Sequence, residues 1–150
     1  MCLIDVTRIT KNDKRRNETV KCYKIVYKHY GIHGINNYNN IYGCKYWSFK
    51  LGKTYHDTET NKIFWYNSRD DEGVYKTGFH AYLSIEAAIR GQKTSAFRQG
   101  RKSPHTGNID PVVIVECKIT NITAIGKQHI ESDENSAICG RTLTLVKEVK

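Results

Sequence analysis

The alternation of apolar and polar residues predicts a chain that consists mainly of β-strands. Within residues 22–28, Tyr23, Ile25 and Tyr27 share one face, which we expect to be buried. The alternate residues Cys22, Lys24 and Lys28 share the other face, which we expect to be solvated. Further strands are predicted from aromatic or β-branched stretches at 42–51, 63–66, 112–119, 122–125 and 142–146. Residues 31–40 are rich in Gly and Asn and predict a loop.

A short helix is predicted over residues 85–90. Ser84 is a suitable N-cap, Glu86 lies in the first turn, where the helix dipole favours an acid, and Gly91 is a typical stop. With one or two short helices beside a mainly antiparallel sheet, the predicted fold class is α+β. The length suits a single strand-dominated domain over residues 1–150.

Positive charge is concentrated in two parts of the chain. Of its 150 residues, 24 are Lys or Arg and 15 are Asp or Glu, which gives a formal net charge of +9. Residues 6–56 hold eleven basic and two acidic residues and include most of a basic N-terminal segment, 1–20. Residues 87–109 hold five basic residues and no acid, and the composition of 92–108 predicts a flexible basic loop. This excess indicates an anionic partner.

Several classes of protein lose support because their motifs are absent. The sequence lacks the signatures of P-loop nucleotide hydrolases, dinucleotide-binding dehydrogenases, zinc proteases and serine hydrolases. Its five cysteines contain no C-x-x-C pair, so free thiols in a cytosol are expected. No apolar run approaches the roughly 18 residues of a membrane span, and the first residues lack the apolar core of a secretion signal. We expect a cytoplasmic protein with no membrane partner, cofactor, metal or catalytic residue.

Two alternatives concern metal binding and nucleophilic catalysis. His29 and His33 are four residues apart, but the neighbouring glycines oppose the helix that would place both on one metal ion. Cys139 and His129 form an alternative nucleophile pair, since such pairs meet in space rather than in sequence. The plainer interpretation of Cys139 is a small buried thiol.

The segment GFHAY, residues 78–82, directly precedes the predicted helix. Alternation directs Phe79 and His80 to opposite sides and places an imidazole near a sheet edge, where the chain enters the helix. Because helix N-termini favour anions, His80 is a candidate phosphate contact. The plainer alternative is that His80 forms a hydrogen bond to a loop carbonyl.

Basic and aromatic side chains supply the other candidates. Guanidinium groups grip phosphate at two points, which favours Arg98 and Arg101 within the acid-free stretch. Trp47 beside Lys45 resembles the mixture that stacks bases and neutralises phosphates, although an aromatic strand buries one face in any protein. The predicted ligand-binding residues are Lys45, Trp47, His80, Arg90, Arg98, Arg101 and Lys102.

A series of short segments occurs along the chain: MCLI, CYKIVYK, YWSFKLGKTY, GFHAY with SIEAA, VVIVECKI, ITAIG and SAICGRTLTL. This series resembles a group of short accessory proteins from tailed phages and prophages, with most of the likeness beyond about residue 20. Such proteins include counter-defence factors that sequester nucleotide signals or obstruct nucleases. The resemblance implies a phage accessory role in the host cytosol.

The order of strand and helix is also similar to ADP-ribosyltransferase-like and RNA 2′-phosphotransferase-like folds. That similarity implies an enzyme acting on a nicotinamide nucleotide, with His80, Tyr82 and Arg90 at its site and a late acid from residues 131–134. The leading hypothesis is nevertheless a phage-type protein that binds a signalling nucleotide or nucleic acid without converting it. The alternatives are an ADP-ribosyl- or phosphoryl-transfer enzyme and an inhibitor that binds an acidic surface of a host protein.

Overall fold

The computed structural model describes residues 3–30, 36–40, 48–57, 62–66, 72–76, 78–94, 100–103, 106–127 and 136–149. They form a strand-dominated α+β domain with a mainly antiparallel sheet, as predicted. The strands are β1 Ile4–Arg8, β2 Val20–Tyr30, β3 Asn36–Asn40, β4 Ser48–Phe49, β5 Thr54–His56, β6 Lys62–Tyr66, β7 Glu72–Lys76, β8 Phe79–Tyr82, β9 Arg101–Lys102, β10 Ile109–Asp110, β11 Val112–Lys127 and β12 Ala137–Val149. A 3-10 turn, Lys14–Asn17, follows β1, and helix α1 is Ile85–Thr94.

Strand β11 organises the main sheet. It pairs with β12 along most of its length, with β2 over its first half and with β1 near its end. The first part of β12 also pairs with β8, and β8 meets β2 at the pair Tyr82 and Tyr23. The strands β11, β12, β8 and β2 therefore form a closed ring of pairings.

The interior of this ring is the main hydrophobic core. On β2, Cys22 and Val26 face inward, opposite Cys117 and Val113 of β11. Phe49 lies edge-on to the rings of Tyr55 and Phe79, at 5.0 and 6.2 Å between centroids. Because strands on opposite sides of the ring contribute to one cluster, the interior is a packed core.

The face of β2 that we expected to be solvated is this interior face. Lys24 is buried, and its ammonium group donates to the backbone carbonyl of His80 at 2.8 Å. The Lys28 ammonium lies 2.7 Å from the Glu148 carboxylate, which also accepts from the Tyr38 hydroxyl. The prediction of a solvated face was wrong because the closed ring turns that face inward. The lysines are tolerated there because their charged ends have polar partners.

The tyrosine face of β2 points outward and is covered by helix α1. Tyr23 and Ile25 pack with Ile114 against Ala87 and Ala88 of the helix. We use "outer face" for this side of strands β2, β11 and β12. Since the helix covers its middle, the uncovered parts of the outer face lie towards the two ends of β2.

The helix begins where the sequence predicts but ends later. The Ser84 hydroxyl oxygen accepts from the Ala87 amide at 3.1 Å, so the predicted N-cap is confirmed. The helix then continues through Gly91 to Thr94. A Cβ at residue 91 would collide with the Tyr82 hydroxyl, so this glycine permits close approach of α1 to β8 and does not end the helix.

Two stretches that we predicted as loops contain regular structure. Residues 36–40 form β3 on β2, anchored by the buried side chain of Tyr38. Within 92–108, the first three residues belong to α1, and β9 then pairs with β10 in a hairpin. The hairpin turn is closed by a bond from the Ser103 amide to the Asn108 carbonyl at 2.7 Å.

The strand predictions hold in position more often than in length. Residues 112–119 and 122–125 belong to one continuous strand, β11, which passes through Asn121 at a positive φ of 54°. The strand predicted at 63–66 is confirmed as β6, and most of 42–51 lies outside the described residues. Within the described ranges, no helix has the length and apolar character required to cross a bilayer.

Candidate anion-binding site

The predicted ligand-binding residues are distributed over several elements. Lys45, Trp47 and Arg98 lie outside the described residues. His80 is in β8, Arg90 is exposed on α1, and Arg101 and Lys102 form β9. Each of the described candidates has a different environment, which determines whether it can hold an anion.

His80 contributes no positive charge at neutral pH. As predicted, Phe79 faces the core while His80 points the other way, with part of the residue at the surface and its ring largely shielded from water. Burial in the first place, and the Lys24 ammonium in the second, lower the pKa of His80 to about 3. A neutral imidazole could still donate a hydrogen bond, but it offers an anion no charge.

The start of α1 is already occupied by its own cap. The Ala87 amide donates to the Ser84 side chain, and the Ala88 amide donates to the Ser84 carbonyl. The Ala87 amide is one of the backbone N–H groups that an anion at the helix N-terminus would use, whereas the Ala88 amide makes the first hydrogen bond within the helix. The structure therefore gives no specific support to the predicted anion site at this end of the helix.

Arg101 is held in a defined position by the hairpin and by β2. It pairs directly with Asp110 across the hairpin, so their side chains lie on the same side. Arg101 Nε lies 3.7 Å from Asp110 Oδ2, and its guanidinium carbon lies 4.9 Å from the centre of the Tyr27 ring. The cation–π contact holds the guanidinium against the ring while 36% of the side chain remains exposed.

The Asp110 carboxylate also holds a histidine. His29 Nδ1 lies 3.0 Å from Asp110 Oδ1, and since an ionised carboxylate only accepts, the imidazole is the donor. The Asp110 side chain is 4% exposed, whereas that of His29 is 20% exposed. We call Tyr27, His29, Arg101 and Asp110 the hairpin site. Its basic groups lie at the surface and its acid lies beneath them. Lys102 pairs with Ile109 in the next position of the hairpin, so its side chain points to the opposite face.

The last turns of α1 reach the same region. Gln92 Nε2 donates to the Val112 carbonyl at 3.2 Å, two residues after Asp110. Arg90 and Lys93 are exposed on these turns. The helix dipole favours basic residues at a helix C-terminus. The position of Lys93 therefore has a structural explanation that does not require a ligand.

Sequence reasoning found Arg101 but missed Tyr27, His29 and Asp110. Tyr27 and His29 are alternate residues of β2, which is a signal that they share a face. Asp110 is the first acid after the acid-free stretch, and a lone acid after so many basic residues is a signal for an ion pair. Neither signal indicates that β2 and the hairpin meet.

The described cysteines have no feature of a nucleophile. Cys22, Cys117 and Cys139 are buried free thiols, as the plainer interpretation expected. Burial raises the pKa of Cys139 to about 12, so this thiol stays protonated. The described residues contain no group of three metal-ligating side chains. His33, His129 and residues 131–134 lie outside them.

The fold and the site together define a small, strand-dominated α+β domain with an arginine held against tyrosine by a buried acid. Comparison with models of protein families, with curated proteins and with solved structures finds no match to this chain.

Proposed function

We propose that the protein binds an anionic phosphate ligand, a nucleotide or a nucleic acid, at the hairpin site and does not convert it. The observation that carries this proposal is the placement of Arg101 by Tyr27 and the buried Asp110. A guanidinium that neighbouring side chains already hold before binding loses less conformational freedom when it grips a phosphate.

The surroundings of Arg101 support the same proposal. His29 shares the Asp110 carboxylate with it, and the exposed Arg90 belongs to the helix end that packs nearby. Asp110 is the acid of this cluster, and its carboxylate is buried between His29 and Arg101. A phosphate at the surface would therefore meet the guanidinium before it meets the carboxylate.

The biological setting that we propose is a phage accessory protein in the cytosol of the host. A protein that holds a nucleotide signal, or that covers a nucleic acid against a nuclease, needs affinity and no reaction. The uncharged His80 and the protonated Cys139 agree with a role that requires no acid–base or nucleophilic group.

The test is a binding titration against single-stranded and duplex oligonucleotides and a panel of cyclic nucleotides, at two salt concentrations. Arg101→Ala should weaken binding by about 10- to 100-fold, because loss of a phosphate-gripping fork costs about 1–3 kcal/mol. Lys50→Ala, at an exposed lysine of the β4–β5 turn, makes the same charge change elsewhere and should have a small effect. Absence of binding at low salt, or equal effects of the two variants, would overturn the proposal.

A further inference from the structure

The uncovered outer face at the other end of β2 forms a second basic surface. Here β2, β11, β12 and β5 lie side by side, and one row across them consists of Lys21, Lys118, Thr144 and Thr54. Thr54 and Thr144 share a hydrogen bond of 2.8 Å between their hydroxyl oxygens. We call this row, together with Glu116 and Lys147 of the next row, the lysine–threonine face.

Positive charge outweighs negative charge on this face. Glu116 Oε2 lies 3.3 Å from Lys21 Nζ and 3.8 Å from Lys147 Nζ, so one carboxylate serves two lysines. The Lys21 and Lys147 side chains are 59% and 67% exposed, and Lys118 is exposed beside them. The three lysines and the glutamate leave two positive charges in excess.

The register places two of these lysines against each other. Lys21 and Lys118 are directly paired on adjacent antiparallel strands, with the core pair Cys22 and Cys117 beside them. Like charges at directly opposed positions destabilise a sheet. Threonine in place of Lys118 would remove this opposition and keep the ion pair of Lys21 with Glu116, so a bound anion at Lys118 would relieve a repulsion that the fold does not need.

We propose that the lysine–threonine face binds the phosphate backbone of a nucleic-acid strand that also occupies the hairpin site. This inference rests on the proposed function and names its ligand as a polymer. Lysine ammonium groups and threonine hydroxyls both donate to phosphate oxygens without reading base sequence. The binding at this face is therefore independent of sequence and dependent on salt.

The spacing of the two sites requires a polymer. His29 and Lys21 are eight residues apart on β2, which corresponds to about 26 Å along an extended strand. In duplex DNA each strand carries a phosphate about every 3.4 Å of helix axis, so roughly eight base pairs span the two sites. Helix α1 lies between them, and Arg90 is exposed on it.

The experiment compares a dinucleotide, which is too small to span both sites, with oligonucleotides of about 16 nucleotides, which are long enough to do so. Single-stranded and duplex forms of the long oligonucleotide are measured over a range of salt, with the Lys118→Thr variant and the Lys50→Thr variant as its matched control. Lys118→Thr should weaken binding of the long oligonucleotide about 3- to 10-fold, leave that of the dinucleotide unchanged and reduce the salt slope by about 1. Its thermal unfolding midpoint should not fall below that of the parent protein, because the variant removes a like-charge pair.

The outcomes separate the two proposals. If Lys118→Thr binds the long oligonucleotide as the parent protein does while Arg101→Ala still weakens binding, the second surface is wrong and the hairpin site stands. If the dinucleotide and the long oligonucleotide bind equally, the inference of a polymer also fails. If neither Arg101→Ala nor Lys118→Thr changes any affinity, the proposed function fails with it.

Discussion

The two ends of the outer face hold their positive charge in different ways. At the hairpin site, the buried Asp110 contacts both His29 and Arg101, so the basic groups belong to the local packing. On the lysine–threonine face, Lys21 and Lys118 oppose each other on exposed strand positions. Removing a charge from the hairpin site should therefore disturb both ligand binding and the stability of the fold. Removing one from the lysine–threonine face should change ligand binding and leave the stability of the fold largely unchanged.

The largest effect on stability and binding together is expected from Asp110→Asn. This change removes the carboxylate shared by His29 and Arg101, and loss of one partner of a partly buried polar contact costs about 1–3 kcal/mol of unfolding free energy. Urea unfolding measures the loss, and titration with an oligonucleotide should show weaker binding because Arg101 is no longer held. Asp13→Asn is the matched control, since Asp13 pairs with Arg15 at the exposed 3-10 turn. Equal unfolding free energies for the two variants would contradict the structural role of Asp110.

Low pH is expected to reduce the stability of the fold through His80, which belongs to neither of the two proposed binding surfaces. In the unfolded chain His80 takes up a proton near its ordinary pKa of 6.5, but in the folded protein its pKa is lowered to about 3. The stability is therefore greatest above about pH 6.5 and declines as the pH falls towards 3. Each pKa unit of difference is worth about 1.4 kcal/mol, so the loss amounts to a few kcal/mol.

The measurement is the urea midpoint at several pH values for the parent protein and for His80→Gln. The decline between neutral pH and pH 4 should be smaller in His80→Gln, because glutamine does not titrate. His56→Gln, at an exposed histidine of β5, is the control and should decline as the parent protein does. Parallel curves for all three proteins would show that His80 is not the group responsible.

The smallest effect is expected from Glu116→Gln. This variant removes the carboxylate beside Lys21 and Lys147, so affinity for a long oligonucleotide should rise about 2- to 5-fold, as a surface pair is worth about 0–1 kcal/mol. The unfolding free energy should fall by less than about 1 kcal/mol for the same reason. Weaker binding of the oligonucleotide would argue against the lysine–threonine face as its contact.

Local patterns predicted the elements that depend on local physics. Ser84 was recognised as an N-cap because capping involves residues a few positions apart, and β2 was recognised by its alternation. Gly91 was misinterpreted because its reason is contact with Tyr82 on another element. The asparagine-rich 36–40 was misinterpreted because pairing with β2, anchored by Tyr38, outweighs a low strand propensity.

The candidate site was less accessible to sequence reasoning. Arg101 could be nominated from the charge of its segment, but Tyr27, which it contacts, and His29, which contacts its partner Asp110, come from a strand more than 70 residues earlier. The opposition of Lys21 and Lys118 depends on the register between β2 and β11, which no local pattern specifies. Net charge therefore indicated an anionic partner without locating either surface.

The position of β11 at the centre of the sheet also governs how the protein is made. Strand β2 is synthesised roughly 90 residues before its partner β11, and β1 is synthesised even further ahead of β11, with which it also pairs. Contacts between such distant segments form slowly. A chain that stalls before Val112 consequently leaves β1 and one edge of β2 unpaired, and pairing with β11 is what covers those edges.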